Sequence, residues 1–310
     1  MKVYYSADDL PVFSKAVVTI GTFDGVHLGH QKIVEQLQQE AARIGGETVI
    51  ITFHPHPRTV VSHQPVFLIN TIEEKIELLD KKGIDHLVVV PFTAEFSQQS
   101  PEDYVEQFLV RKFRPHTIII GYDHRFGQGR KGDYKLLEAL SPEFGYRLLE
   151  IPGQVINEIT VSSTLIREAI LKGDVMAANA LLGYEFFFQG RVIDGKKLGR
   201  ALGYPTANLS AENAEKLVPG NGIYVVQVEF IGAGIKGGMM SIGVRPTIGV
   251  TERTIEVNIF DFDKEIYGET MRVYVKKYLR EEMKFDNLEE LKRQLAIDKE
   301  ESLEFLKKGK

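Results

Sequence analysis

The sequence has 310 residues, of which 43% are hydrophobic and 26% charged, values typical of a globular protein with one large or two medium domains. The formal net charge is −5, so the chain lacks the excess of positive charge that nucleic-acid binding requires. There are no cysteines, which excludes disulfides, thiol nucleophiles, iron–sulfur clusters and cysteine-ligated zinc.

The first residues contain acids where a signal peptide needs an apolar stretch. No apolar run approaches the roughly 18 residues of a membrane span. We therefore expect a cytoplasmic protein that binds neither membranes nor nucleic acid and that holds any anionic ligand in a local site.

The first half of the chain alternates short β-branched segments with amphipathic helical patterns, which predicts βα units around a parallel sheet. The predicted strands are residues 16–20, 48–53, 87–90, 117–120 and 147–151. Helices are predicted to start near Gly29, Thr71, Ser100 and Ser162. Glu74 stands three residues after Thr71 and completes a capping box.

From about residue 184 the pattern changes to short strands separated by Gly and Asp turns, which predicts an antiparallel barrel or sandwich. These strands are residues 222–231, 239–244, 254–260 and 271–278. A last helix begins at Asn287, with an apolar face predicted for Leu288, Leu291 and Leu295. The domain boundary is predicted near Gly183, giving domains 1–183 and 184–310.

The first predicted strand runs into GTFDGVHLGH (residues 21–30), and a helical pattern follows at once. Ligands of open α/β sheets bind where strands end, and the start of a helix offers free N–H groups to a phosphate. His27 and His30 would donate hydrogen bonds to phosphate oxygens as charge develops on phosphorus. A pair of surface histidines in a loop is the alternative interpretation.

This segment resembles the H-x-G-H signature of nucleotidylyltransferases, in the form found in bacterial bifunctional riboflavin kinase/FAD synthetases. Three later segments follow the order of that family: FHPHP (residues 53–57), GYDHRFG (121–127) and VSSTLIR (161–167). The resemblance implies a Rossmann-like FAD synthetase domain. It implies that His27 and His30 hold ATP phosphates, that Ser163, Thr164 and Arg167 complete the phosphate site, and that Asp123 lies beside the flavin.

The sequence departs from the family pattern at Thr22, where Asn is usual, at His54, where Glu is common, and at His124, where Phe is common. His54 and His56 form an alternative metal pair, although no third ligand is indicated. Arg167 has the alternative of an ion pair on a solvated helix face.

The second domain opens with a segment rich in glycine and basic residues, residues 190–208, which ends in PTAN. The backbone N–H groups of such a loop can bind phosphates, and a hairpin with solvated lysines is the alternative. Thr206 and Asn208 follow Pro205 in an extended segment, where their oxygens can face one way as ligands of Mg²⁺.

This segment, with IEVNIFD (residues 255–261), resembles the riboflavin kinase domain of the same family, an antiparallel β-barrel with a C-terminal helix. The resemblance implies that Glu256 is the general base for the riboflavin 5′-hydroxyl and that Thr206 and Asn208 hold Mg²⁺–ATP. A carboxylate between Ile255 and Val257 points away from both, although a solvent-facing Glu is the alternative. Asn258 stands where His is frequent and receives no role.

The two resemblances together predict an enzyme that phosphorylates riboflavin with ATP to FMN and then adenylylates FMN with ATP to FAD. Its partners are these small molecules. The predicted catalytic residues are His27, His30, Arg167 and Glu256. The predicted ATP-binding residues are Gly21, Phe23, Asp24, Gly29, Ser163, Thr164, Gly195, Lys196, Gly199 and Arg200. The predicted flavin-binding residues are Asp123 and Arg280, and the predicted metal ligands are Thr206 and Asn208.

Two other functions remain as alternatives. G-x-G-x-x-G matches at residues 127–132 and 232–237. The second lies between two strand patterns and predicts a hairpin, whereas the first permits a dinucleotide-dependent oxidoreductase. A non-catalytic flavin sensor or scaffold is the third possibility.

Overall fold

A computed structural model of the chain describes residues 1–122, 124–151, 161–195, 199, 203–230, 234–247 and 250–308, with the backbone alone at 245–247 and 250–252. By backbone packing the chain divides into two compact units, Met1–Ser163 and Thr164–Lys310. The helices just before Gly183 fall in the second unit, and the boundary of the two enzymatic domains there stays a prediction.

A six-stranded parallel sheet with strand order β1-β4-β3-β2-β5-β6 forms the centre of the first unit, as the sequence predicts. The strands are β1 Lys2–Tyr4, β2 Val17–Ile20, β3 Thr48–His54, β4 His86–Pro91, β5 Thr117–Gly121 and β6 Arg147–Ile151. The helices are α1 Leu28–Ile44, α2 Pro57–Ser62, α3 Ile72–Asp80, α4 Ala94–Ser97, α5 Pro101–Asp103 and α6 Tyr134–Phe144. The edge strand β1 is not predicted, because three residues carry no readable alternation.

Both faces of this sheet are covered by hydrophobic cores. Val18 and Ile20 of β2 pack in one core, whereas Val17 of the same strand packs in the other. Strands buried on both faces need apolar residues at nearly every position, which explains their β-branched runs.

The sheet has its topological switch point at β2. The chain moves from β2 to β3 and β4 on one side, and later returns to pair β5 with the other side of β2. Crossovers that leave in opposite directions open a crevice at the carboxyl end of the central strands. The loop of residues 21–27 leaves β2 at this position.

The predicted helix starts are confirmed. Thr71 and Glu74 form both hydrogen bonds of the capping box, and the Ser100 hydroxyl accepts a hydrogen bond from the Asp103 N–H group. Beyond α5 the chain continues as a π-helix over Tyr104–Phe113, which the sequence does not predict.

The second unit contains a closed six-stranded barrel with strand order β10-β11-β8-β7-β12-β9. Its strands are β7 Phe187–Ile193, β8 Ala207–Ala211, β9 Gly222–Phe230, β10 Gly234–Thr247, β11 Val250–Ile259 and β12 Thr270–Arg280. Its helices are α7 Ser163–Leu171, α8 Val175–Leu182 and α9 Leu288–Lys308. Ser163, the first residue of α7, is assigned to the first unit.

The last helix begins as predicted, because Asn287 Oδ1 accepts a hydrogen bond of 2.9 Å from the Glu290 N–H group. Its predicted apolar face is wrong at Leu288, which is 65% exposed. The buried residues of α9 are Asp298 and Ser302, further along the helix. The helix packs on β9 and β10, and its first turn lies in solvent.

Candidate active sites

The H-x-G-H segment turns directly from β2 into α1. His27 is the N-cap of α1, and its Nδ1 accepts a hydrogen bond of 3.4 Å from the His30 N–H group. Because Nδ1 is the acceptor, the neutral ring carries its proton on Nε2. The rings of His27 and His30 stack with centroids 3.7 Å apart. The structure therefore brings the two predicted imidazoles together at the amino end of a helix.

Both imidazoles are neutral at neutral pH. Burial lowers the pKa of His27 to about 4, and the Asp24 carboxylate opposes this shift. Burial also lowers the pKa of His30 well below its usual value, with further lowering from His27 and Lys75. His30 Nδ1 is buried and has no hydrogen-bond partner among the described residues. A neutral imidazole can donate a hydrogen bond to a phosphate oxygen without carrying a charge itself.

The loop before the helix has an unusual backbone. Phe23 and Val26 adopt the left-handed region with φ of 48° and 38°, and Gly25 has φ of 90°. The Phe23 ring is buried against His30, with centroids 5.0 Å apart. A side chain at Gly21 would press on the Phe23 ring, which explains the glycine at the start of the loop. Strained backbone of this kind persists only where the surroundings fix it.

Asp24 and Ser163 also meet at this loop. The buried Asp24 carboxylate accepts hydrogen bonds from the N–H groups of Ile69, at 2.9 Å, and Asn70, at 3.3 Å. The Ser163 hydroxyl donates to the Asp24 carbonyl at 2.9 Å. These contacts hold the loop in place, while a direct role of either residue in ATP binding stays a prediction.

The sequence analysis missed Lys75 at this site, together with its hydrogen-bond partner Thr52 of β3. Lys75 of α3 is buried, and its Nζ donates to the Thr22 carbonyl at 2.7 Å and to Thr52 Oγ1 at 3.3 Å. The other residues of this helix are mostly acidic and apolar. From that sequence pattern a single lysine is expected to face solvent. No sequence signal could have placed it under the loop.

The remaining residues predicted for this site are Gly29, Asp123, Thr164 and Arg167. Gly29 is buried in the first turn of α1 and has no side chain that would cover the backbone there. Asp123 lies outside the described residues. Thr164 and Arg167 belong to the second unit, and their part in a phosphate site stays a prediction.

The departures from the family pattern have partly structural explanations. The Thr22 carbonyl accepts the Lys75 hydrogen bond, a role that its side chain does not determine. His56 caps α2 through Nδ1, which accepts from the Arg58 N–H group at 3.1 Å. The His124 ring lies 5.8 Å from the Phe126 ring. Among the described residues no group of three or more His, Asp or Glu side chains could hold a metal, so the His54–His56 interpretation gains no support.

Neither G-x-G-x-x-G match joins a strand directly to a helix in the described residues. Phe126 and Gly132 form an antiparallel bridge that closes the segment between them, and α6 begins only after the cap Asp133. A dinucleotide fingerprint instead joins a strand directly to a helix. The match at residues 232–237 lies at the junction of the antiparallel pair β9 and β10, as predicted.

The second site lies where β8 pairs with β11 in the barrel. Glu256 stands directly opposite Asn208, so both side chains lie on one face. Thr206, just before β8, donates from Oγ1 to Glu256 Oε2 at 3.1 Å. Ile255 and Val257 are buried while Glu256 is only half-buried, as the alternation predicts. The structure therefore brings together three predicted residues that are up to 50 positions apart in the chain.

The glycine-rich segment lies against the same residues. A side chain on Gly195 would collide with the Asn208 amide, and one on Gly199 would collide with the Tyr204 carbonyl beside Thr206. Only glycine permits this close approach of the backbone. Lys196 and Arg200 lie outside the described residues.

Asn258 was left without a role, but the structure gives it one. Its side chain is 6% exposed, and Nδ2 donates to the Pro205 carbonyl at 2.7 Å. Asn258 lies two residues after Glu256 on β11 and therefore on the same face. It supports the backbone just before Thr206.

Arg280 is held by the last helix. Its Nε and Nη2 donate to the two carboxylate oxygens of Asp298 at 2.9 and 2.6 Å, and its Nη1 donates to the Glu281 carbonyl at 2.8 Å. The predicted contact of Arg280 with flavin stays a prediction.

Comparisons with known proteins agree with these two sites. The family model described as FAD synthetase matches residues 10–165, and the one described as riboflavin kinase matches residues 182–306. The chain belongs to both families. The first contains the H-x-G-H loop, and the second contains the cluster at Glu256.

Relatives match along nearly the whole chain. The bifunctional riboflavin kinase/FMN adenylyltransferase of Bacillus subtilis is 36% identical over 298 residues, covering 94% of this chain and 93% of the relative. The protein of the same description from Listeria monocytogenes is 38% identical over 296 residues, with the same coverage.

A solved structure shows the same fold. The crystal structure of a Streptococcus pneumoniae protein described as a macrolide-efflux protein has a TM-score of 0.84 and 31% identity, covering 96% of this chain and 97% of that one. In the part of the chain described here, no helix has the length and apolar character needed to cross a membrane.

Proposed function

We propose that the two sites catalyse consecutive steps of flavin cofactor synthesis. The barrel transfers the terminal phosphoryl group of ATP to riboflavin, which gives FMN and ADP. The first domain transfers the adenylyl group of a second ATP to FMN, which gives FAD and pyrophosphate. The convergence of Thr206, Asn208 and Glu256 on one face of the barrel carries this proposal.

In the first site an FMN phosphate oxygen attacks the α-phosphorus of ATP as pyrophosphate leaves. The nucleophile is already an anion and needs no base. His27 donates from Nε2–H to the phosphate oxygens, with His30 beside it, and the amino end of α1 favours negative charge at the same place. One such donor is worth about 3–4 kcal/mol in the transition state. We assign Ser163, Thr164 and Arg167 to phosphate binding and Asp123 to flavin binding.

In the second site the 5′-hydroxyl of riboflavin is a poor nucleophile. Glu256 accepts its proton as the oxygen attacks the γ-phosphorus, which contributes about 10²–10⁴-fold to the rate. Thr206 Oγ1 donates a hydrogen bond to one oxygen of this carboxylate, Oε2, and so orients it. Gly195 and Gly199, with Lys196 and Arg200, bind the ATP phosphates, and Arg280 contacts the flavin.

The residues of this site fit Mg²⁺. Thr206 and Asn208 offer neutral oxygens beside the Glu256 carboxylate, a donor set of hard ligands that this ion prefers. Thr206 and Asn208 would hold it together with the ATP phosphates. When bound, the ion would offset the negative charge of the phosphates during transfer. Both steps consume ATP, so we place the enzyme in the cytoplasm, with riboflavin, FMN and ATP as its partners.

A pair of variants tests the assignment of each step to its site. Glu256→Gln is nearly isosteric and should lower FMN formation from riboflavin by about 10²–10⁴-fold while FAD formation from supplied FMN continues. His30→Ala should do the reverse, so that FMN accumulates. Products are separated by chromatography after incubation with riboflavin and Mg-ATP. Loss of both activities in either variant, or of neither, would contradict the proposal.

The metal ligands are tested in the same assay. Thr206→Ala and Asn208→Ala should raise the Mg²⁺ concentration needed for half-maximal FMN formation and leave that for FAD formation unchanged. An equal shift in both activities would assign these residues to another role.

A further inference from the structure

The first domain contains a buried ammonium group directly beneath the H-x-G-H loop. Lys75, in the first turn of α3, is 7% exposed. Lysine is almost never buried unless its charge is satisfied. Its Nζ donates to the Thr22 carbonyl at 2.7 Å and to Thr52 Oγ1 at 3.3 Å. The ammonium group therefore forms these hydrogen bonds inside the domain and not with solvent.

The Thr22 carbonyl is an anchor point of the strained loop. It accepts a second hydrogen bond of 3.0 Å from Thr52 Oγ1. The next residue, Phe23, has φ of 48° and packs on His30. On the other side of Phe23, the Asp24 carboxylate is held by the N–H groups just before α3. Lys75 thus fixes one end of the Phe23 turn, and Asp24 fixes the other.

The charge of Lys75 also acts on the imidazoles. Burial lowers the pKa of Lys75 to about 8, and the Asp24 carboxylate opposes this shift, so the ammonium is charged at neutral pH. Its charge in turn helps to lower the pKa of His30. Among the described residues, the Asp24 carboxylate of the loop acts on Lys75, while His27, the N-cap of α1, and Lys75 act on His30. Glu74, on the same helix as Lys75, accepts from the Thr71 N–H group.

We propose that Lys75 is a positioning residue for adenylyl transfer, whose buried ammonium fixes the Thr22–Phe23 turn beneath His30 and whose positive charge acts on the ring of that histidine. It acts through the loop and touches neither ATP nor FMN. The proposal rests on the assignment of adenylyl transfer to this domain, which the His30→Ala experiment tests separately.

Three variants separate the charge from the hydrogen bonds. Lys75→Gln removes the charge and keeps a donor, and Lys75→Arg keeps the charge. Thr52→Val also keeps the charge but removes the hydroxyl that donates to the Thr22 carbonyl and accepts from Lys75. FAD formation from supplied FMN is measured between pH 5 and 9 (about the range of the histidine and lysine pKa values). Urea unfolding of each variant, followed by circular dichroism, reports whether the first domain is folded.

We expect Lys75→Gln to lower kcat/KM for FAD formation by about 10–100-fold, as is typical when a supporting residue of a site is lost. Without the positive charge His30 is protonated more easily, so the acid limb of the pH profile should move to higher pH. Lys75→Arg and Thr52→Val retain the charge and should keep the acid limb in place. The titrations of the substrate phosphates are common to all variants and cancel in the comparison.

A direct readout is the titration of the His30 ring by nuclear magnetic resonance in the substrate-free protein, assigned by its loss in His30→Gln. The His30 pKa should rise in Lys75→Gln and stay unchanged in Thr52→Val. FAD formation within about twofold of the parent in Lys75→Gln, or an unmoved His30 pKa, would overturn the proposal. If Lys75→Gln does not fold, the His30 titration in Lys75→Arg and Thr52→Val decides. A shifted His30 pKa in either variant, without any change of charge, contradicts the electrostatic role, and an unshifted one supports it.

Discussion

At the scale of single residues, the first site depends on histidines that are buried in their neutral form. His27 caps α1 through Nδ1 and, in the proposed function, donates a hydrogen bond to the phosphate from Nε2. An ordinary Ser or Asp cap would serve the helix equally well but would not supply the Nε2–H group. The need for this donor in the proposed reaction therefore explains the unusual capping residue.

The neutral histidines make the stability of the protein depend on pH. In the unfolded chain both rings take up protons near pH 6.5, whereas the folded pKa of His27 is about 4 and that of His30 is also lowered. The unfolded state thus binds more protons below pH 6.5, and the free energy of unfolding should fall on acidification, by about 1–2 kcal/mol per ring between pH 7 and 5.

Urea unfolding followed by circular dichroism at both pH values measures this effect. The His27→Gln, His30→Gln double variant is the control, since it retains every other titratable group. The parent should lose more stability on acidification than the control. Equal losses would show that the rings do not titrate as described.

Asn258 gives a second prediction at this scale. Asn258→Asp preserves shape but places a carboxylate oxygen against the Pro205 carbonyl, so the segment that carries Thr206 loses its support. A lost buried hydrogen bond of about 1–3 kcal/mol corresponds to a fall of about 10–100-fold in kcat/KM for Mg-ATP in FMN formation. Asn258→His, the residue frequent in the family, restores a donor and should recover most of this loss. FAD formation from FMN should stay unchanged in both variants, and a loss there would indicate a general effect on folding.

At the scale of elements, α9 is attached to the barrel by a buried ion pair. Asp298 is 2% exposed and accepts both hydrogen bonds of the Arg280 guanidinium on β12, with a third from Gln294. Two charges in such a place are stable only together, because either one alone would be buried without a partner. The apolar residues predicted to attach this helix contribute less, since Leu288 lies in solvent.

Removing the acid should therefore destabilise the barrel. Asp298→Ala leaves Arg280 without its partner and should lower the free energy of unfolding by about 3–5 kcal/mol. Glu304→Ala is the matched control on the same helix, because the exposed pair of Glu304 with Lys308 is worth about 0.5 kcal/mol or less. Denaturant unfolding followed by the loss of riboflavin kinase activity measures both variants. Equal effects would mean that the buried pair does not hold the helix.

At the scale of the whole molecule, the two helices before Gly183 pack on the barrel. Asn179 of α8 accepts a hydrogen bond of 2.7 Å from the Phe186 N–H group and donates one of 3.0 Å to the Val275 carbonyl. The Gly220 backbone approaches Leu171 of α7 so closely that no side chain would fit. These contacts belong to the second unit, although both helices precede the boundary predicted from the sequence.

Two fragments test where the kinase domain begins. A fragment of residues 184–310 should still phosphorylate riboflavin, because the Glu256 cluster lies within it. A fragment of residues 164–310 should do the same and unfold at a temperature about 10 °C higher, because it keeps the buried faces of α7 and α8. Thermal unfolding monitored by circular dichroism provides the comparison. If the shorter fragment folds but makes no FMN, the predicted boundary is wrong, and equal midpoints would mean that the two helices do not stabilise the barrel.

The sequence by itself determined the fold class and indicated candidate residues for the two sites. Period-two and helical patterns indicated a parallel sheet followed by antiparallel strands, and the H-x-G-H and PTAN motifs located His27 and Thr206. Such signals are local: a cap, a strand alternation or a motif needs only neighbours in the chain. For the same reason the strand β1, the π-helix and the exposure of Leu288 were not foreseen.

Only the tertiary structure showed which distant residues meet. Glu256 reaches Thr206 because β11 pairs with β8, and Lys75 lies beneath the Thr22 carbonyl because α3 packs under the loop that follows β2. Asn258 and Asp298 acquired their roles in the same way, through the burial of a polar group that must find a partner. A single sequence does not encode these pairings in any local pattern, because burial and strand register arise only when the whole domain has folded.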